Sequence, residues 1–253
     1  MLHYQRQGPG SAPAIILLHG LFGDKDNLGN LARALADTFC VIQVDLPNHG
    51  GSPRQNDMGY PAMCQALQAL LDTLGLRRVH LLGHSLGGKL AMQFALRHPT
   101  QVERLIVADM APVAYTARHD RVFAALQAVV AHGCQTRQEA EAVMTPQLED
   151  ARVRQFLLKS FQAGVGWRFQ LSALIANYPA LMDWPALNGQ FSGPVIFLKG
   201  GLSDYLLPEH QAVIGHYFPQ AKARIITDAG HWLHAEKPLL FNRLVVDFLS
   251  TSR

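Results

Sequence analysis

Twelve residues, Val79-His80-Leu81-Leu82-Gly83-His84-Ser85-Leu86-Gly87-Gly88-Lys89-Leu90, constrain this chain more than any other stretch. A short apolar run with the character of a buried parallel strand ends at Gly83, and helical periodicity (Leu86, Leu90, Phe94, Ala95) begins after Ser85. Passing from strand to helix at one residue demands strained backbone angles there, and side chains two positions to either side would collide with the turn. Gly83 and Gly87 carry none. The Ser85 hydroxyl is therefore expected at the carboxyl end of a sheet, beside a helix whose first amides have no internal acceptor.

The five residues Gly83 to Gly87 fit the G-x-S-x-G nucleophile elbow, but a serine capping a Gly-rich turn would fit them too, so their meaning rests on partners elsewhere. A serine nucleophile needs a base, and the base needs a carboxylate to fix its tautomer. His231 follows Gly230 in a turn after an apolar run, which suits a base. Two aspartates suit the third role, and both keep the order Ser, Asp, His: Asp109 at the end of the run Val102 to Asp109, and Asp204 in the turn Gly201-Leu202-Ser203-Asp204. Spacing leaves both open. For the oxyanion, the backbone amides of Leu21, in the loop His19-Gly20-Leu21-Phe22-Gly23, and of Leu86, after the serine, are the candidate donors.

All these residues lie just past apolar runs that alternate with helical patterns. Strands are expected at Ala14 to Leu18, Cys40 to Asp45, Val79 to Gly83, Val102 to Asp109, Pro194 to Lys199 and Ala223 to Thr227. Helices are expected at Leu28 to Ala36, Pro61 to Leu74, Leu86 to His98, Pro208 to Tyr217 and Pro238 to Leu249. This is the pattern of an α/β fold with a mostly parallel central sheet and helices on both faces, and open sheets of that kind put their sites at the carboxyl ends of the strands. Residues 1–13 read as a polar, Gly/Pro-rich tail. Between Met110 and Trp184 the alternation stops, helices are expected near Arg118 to Ala131, Thr136 to Met144, Asp150 to Phe161 and Phe169 to Tyr178, and no strand is evident. We expect an α/β core from residues 1–111 and 186–253, interrupted by a helical cap or lid over 112–185.

Composition excludes several functions. Hydrophobic residues make up 49% of the 253 and charged residues 16%, with a net charge of +3 spread without long runs, which argues against a nucleic-acid partner or a membrane span. No secretion signal is evident, and Cys40, Cys64 and Cys134 lack metal or redox spacing, so the expected compartment is the cytoplasm. His231-x-x-His234 has neither the spacing nor the glutamate of a zinc protease, so no metal or cofactor is expected.

The segments His19 to Gly23, Asp45-Leu46-Pro47-Asn48-His49-Gly50-Gly51-Ser52, Gly83 to Lys89 and Gly230 to Pro238 together resemble the α/β-hydrolase superfamily over essentially the whole chain. Asp109-Met110-Ala111-Pro112, with Arg118-His119-Asp120 after it, is most similar to a branch of small cytoplasmic bacterial esterases that act on acyl esters and acyl-CoA thioesters. The resemblance implies the acid at Asp109 with Ser203 as a helper, and it implies a serine esterase acting on a small-molecule acyl ester or thioester; spacing leaves monomer and dimer both open. Asp204 keeps the superfamily's commoner acid position available, and Pro47 stands where relatives carry an arginine. Phe22, His84 and Trp232 are expected to border the substrate. Carbon-carbon bond hydrolysis, a small-molecule lyase step or a non-catalytic binding module are the alternatives on such a scaffold.

Overall fold

The computed structural model describes residues 1–250, so the last three residues of the expected core lie outside the description. In chain order the elements are β1 (Tyr4–Gln7), β2 (Ala14–Leu18), α1 (Gly29–Leu35), β3 (Cys40–Val44), α2 (Tyr60–Thr73), β4 (Val79–His84), α3 (Leu86–Arg97) and β5 (Val102–Ala108). Then come α4 (Asp120–Ala131), α5 (Arg137–Met144), α6 (Ala151–Leu158), a hairpin of β6 (Phe161–Gln162) and β7 (Gly166–Trp167), and α7 (Leu171–Met182). The chain returns through β8 (Val195–Gly200), α8 (Gln211–Tyr217), β9 (Ala221–Ile226), α9 (Leu233–Glu236) and α10 (Pro238–Ser250).

Seven strands form one sheet in the order β1-β3-β2-β4-β5-β8-β9. Only β1 runs antiparallel; each of the other neighbours pairs in parallel. The period of two along a strand sorts the apolar residues to opposite faces. Ile16 and Leu18 of β2 and Leu81 of β4 pack with α2 and α3, whereas Ile15, Leu17 and Leu82 pack with α1 and α10. On α10, Phe241, Val245 and Leu249 are buried at four-residue spacing, and covering such side chains contributes roughly 1.5–3 kcal/mol each.

Three local expectations change. The polar tail contains β1, whose residues pair with Val41 to Val44. An edge strand exposed on its outer side can be polar, so its sequence lacks the apolar run that marks the central strands. Within the helical stretch, Phe161 and Gln162 pair with Trp167 and Gly166 in a hairpin too short for any periodicity to announce. The helix expected to end at Tyr178 continues through Pro179 to Met182, since a proline there removes just one hydrogen bond near the helix end. Cys40, Cys64 and Cys134 are free and buried. Among the described residues no helix is long and apolar enough to cross a membrane.

Candidate active site

β4 delivers the chain to Ser85 at φ 54° and ψ −119°, a backbone conformation that residues other than glycine seldom adopt. Two hydrogen bonds hold it: the Ser85 amide donates to the Ala108 carbonyl at 3.1 Å, and the Gly87 amide to the His19 carbonyl at 3.1 Å. The flanking glycines are steric necessities. A Cβ on Gly83 would lie 2.1 Å from the Gly87 oxygen, and one on Gly87 would lie 2.3 Å from the Leu18 oxygen. Leu86 opens α3, so its amide belongs to the first turn, which has no intrahelical acceptor.

Asp109 follows β5 directly, at φ 52° and wholly buried. Its Oδ1 accepts the Gly200 amide at 2.9 Å, and its Oδ2 accepts both the Ser203 hydroxyl and His231 Nδ1, the latter at 2.7 Å. Because β5 and β8 are neighbours, with Ala108 opposite Leu198, the carboxylate sits where the ends of both strands can donate to it. Donation from Nδ1 leaves Nε2 of a neutral His231 as the acceptor nitrogen. Tyr205 stacks on this imidazole, centroids 3.9 Å apart and planes 19° apart. Asp204 is elsewhere: its side chain is 69% exposed and both its oxygens accept from Arg118, each at 3.1 Å.

The loop carrying Leu21 is bracketed by two buried histidines. His19 donates from Nδ1 to the Gly20 carbonyl at 2.8 Å and accepts the Leu46 amide on Nε2 at 3.0 Å. His49 donates from Nδ1 to the Pro47 carbonyl at 2.8 Å and accepts the Phe22 amide on Nε2 at 3.2 Å. Each ring must be neutral to serve as donor and acceptor at once, and burial pushes His49 down to about 3 and lowers His19. Gly20 lets this loop approach the elbow, since a Cβ there would stand 3.2 Å from that of Ser85. In the turn that contains Pro47, Asp45 accepts the Lys25 amide, the Gly51 amide and His3 Nδ1 at 2.7 to 2.8 Å.

Ser85 and His231 face one cavity of about 290 Å³, which Leu21 and Leu86 also line. Phe22, His84 and Trp232 border it as well, together with Val153 and Phe156 of α6, so the helices between β5 and β8 roof the end of the sheet where the strands stop. Trp232 packs against Phe156 across this roof, ring centroids 5.2 Å apart. His84 differs from the other two in that its Nε2 is committed to the main-chain oxygen of His231.

Sequence reasoning passed over Tyr205 and Lys89. Lys89, one helical turn beyond Ser85, is 2% exposed and donates to the Met182 and Asp183 carbonyls at 2.8 Å each, where α7 ends. Burial brings its ammonium down to about 7. A lysine at an apolar helical position was the available signal.

The chain is similar to known proteins over nearly its whole length. The family described as "alpha/beta hydrolase fold" matches residues 13–131. Esterase YbfF of Escherichia coli (strain K12) is 43% identical over 237 residues, covering 93% of this chain and 92% of that protein. The sn-1-specific diacylglycerol lipase ABHD11 of Mus musculus is 42% identical over 255 residues, 96% of this chain and 83% of that one. A solved structure described as a marine microorganism esterase superposes with a TM-score of 0.93 at 35% identity, covering 98% of both chains.

Proposed function

The chain belongs to the α/β-hydrolase fold family and is a carboxylic ester hydrolase, and on that premise we propose that it cleaves acyl esters by two-step acyl transfer through Ser85, His231 and Asp109. The observation that carries this reading is the 2.7 Å hydrogen bond from His231 Nδ1 to Asp109, beside a strained Ser85 in the same cavity. In the first step His231 Nε2 takes the hydroxyl proton as Ser85 Oγ bonds to the ester carbonyl carbon. The amides of Leu21 and Leu86 donate to the oxyanion, each worth on the order of a hundredfold or more in rate. Collapse breaks the bond to the leaving oxygen, which receives the proton from His231, and the acyl group stays on Ser85. Water, deprotonated by the same nitrogen, then attacks the acyl-enzyme; Ser85 recovers its proton and the carboxylic acid departs.

Nothing in these steps depends on oxygen as the leaving atom, so acyl-CoA thioesters are a second substrate class for the same machinery. Ser203, donating to Asp109, keeps the carboxylate turned towards His231. Residues 112–185 act as a lid whose apolar side, including Val153 and Phe156, shapes the acyl pocket.

The test is kcat/KM across a p-nitrophenyl ester series and matched acyl-CoA thioesters for wild type and Ser85→Ala. A fall of at least about a thousandfold in the variant is expected. Near-normal turnover by folded Ser85→Ala would sink the nucleophile assignment, and activity on esters alone would restrict the substrate class to oxygen esters.

A further inference from the structure

We propose that His84 is a positioning residue that sets the distance and orientation of the base His231 relative to the nucleophile, an inference that rests on the roles given above to Ser85 and His231. His84 is the last residue of β4, held in the sheet opposite Ala108, and its peptide leads straight into Ser85. Its Nε2 donates to the His231 main-chain oxygen at 2.8 Å. One side chain thus ties the residue before the nucleophile to the backbone of the base, although the two lie 147 residues apart in the chain.

The ring is wedged on every side. Its centroid is 4.8 Å from that of His231 and 4.4 Å from that of His234. Its Nδ1 faces the 19–23 loop so closely that a Cβ on Gly20 would come within 3.0 Å. A small apolar residue could fill this space, but it could not donate to the His231 carbonyl. A lysine or arginine could donate, but it would put a permanent cation against His231 just as that imidazole takes up the serine proton. Neutral imidazole meets both demands. Burial together with the neighbouring histidines keeps His84 uncharged.

His84→Gln, His84→Asn and His84→Leu separate this role from mere packing. Glutamine carries an amide nitrogen near the Nε2 position, whereas asparagine carries it nearer Nδ1, and leucine has no donor. Each variant is titrated with a fluorophosphonate, and kcat and KM for p-nitrophenyl butyrate are expressed per labelled site. A displacement of His231 by as little as 1 Å costs on the order of a hundredfold in rate. We expect kcat to fall about tenfold to a hundredfold in His84→Leu and His84→Asn with KM changed less than about threefold, and His84→Gln to recover most of the loss. Fluorophosphonate labelling should slow in parallel, because it uses the same serine and base. Wild-type kcat per labelled site in His84→Leu, or equal impairment of the Gln and Asn variants, would overturn the proposal. Should His84→Leu not fold, the Gln/Asn contrast still decides. Ser85→Ala turnover, expressed per total protein, identifies the other failure: if it is normal, the nucleophile reading has failed and not the role of His84.

Discussion

Asp109 and His231 are 122 residues apart along the chain and 2.7 Å apart in space, joined from Oδ2 to Nδ1. The sheet order produces this pair. Asp109 leaves β5, His231 lies in the turn after β9, and β8 between them contributes the Gly200 amide and Ser203 hydroxyl that hold the same carboxylate. A carboxylate with this many fixed donors has one orientation available, and His231 receives it.

Asp109→Asn should therefore lower kcat/KM by about 10³ to 10⁴, because an amide at this position favours the wrong imidazole tautomer. Asp204→Asn disrupts an exposed pair with Arg118 and should stay within about fivefold of wild type. Steady-state kinetics on one ester decide it, and the reverse ranking would move the acid to Asp204.

The glycines of the elbow and an ordinary helical glycine should respond with opposite signs. Gly83→Ala drives a Cβ onto the Gly87 carbonyl at 2.1 Å, backbone against backbone, and should cost at least about 3 kcal/mol. Gly215→Ala, in α8 with open space around the new Cβ, should stabilise by about 0.5–1 kcal/mol. Urea unfolding of both variants measures the pair; a Gly83→Ala protein as stable as wild type would contradict the steric account.

Buried histidines make stability fall with acidification. Burial depresses His49 and His234 to about 3 and His119 to about 4, so below the unfolded imidazole value of about 6.5 the unfolded chain binds protons that the folded chain refuses. Their contribution is intact above about 6.5 and is lost progressively as pH drops towards the folded values, on the order of 2 kcal/mol per group by pH 5. His234 offers the sharpest test, since its Nδ1 is buried without a hydrogen-bond partner. In His234→Leu the drop in unfolding free energy between pH 7.5 and 5 should shrink by about that amount; an unchanged drop would show that His234 takes up a proton in the folded state.

Lys89 carries the same logic at the other end of the pH scale. Its ammonium is held at about 7 against about 10.4 in an unfolded chain, so between these values the unfolded state binds the extra proton and stability rises with pH. Lys89→Met removes that rise. Unfolding free energies for the two proteins at pH 7 and 9 should diverge, with wild type gaining relative to the variant; parallel curves would mean that the carbonyls of Met182 and Asp183 and the ring of Tyr115, 5.0 Å from Nζ, keep the lysine charged.

The central strands were legible because parallel strands covered on both faces must be apolar runs, and β2, β3, β4, β5 and β8 are. Edge strand β1 was not, because half its surroundings are water and its residues are correspondingly polar. The β6–β7 hairpin was not, because two residues per strand leave no period to detect.

The candidate site divides along the same line. Residues 83–87 mark a strained turn with a half-buried serine: the clash that requires glycine at 83 arises within the turn, and the one at 87 comes from Leu18 in the adjoining strand. Spacing left open which aspartate meets His231, since Asp109 and Asp204 both lie just past strand ends; the resemblance implied Asp109, and the aim of β5 and β8 separates the two in space. The contacts of His84 with the His231 carbonyl and of Tyr205 with the His231 ring join residues that spacing does not relate. The sequence by itself determined the layers and the elbow, because both follow from periodicity and short-range sterics; tertiary structure alone decided the partners of His231, because sheet order and loop packing set the distances between residues far apart in the chain.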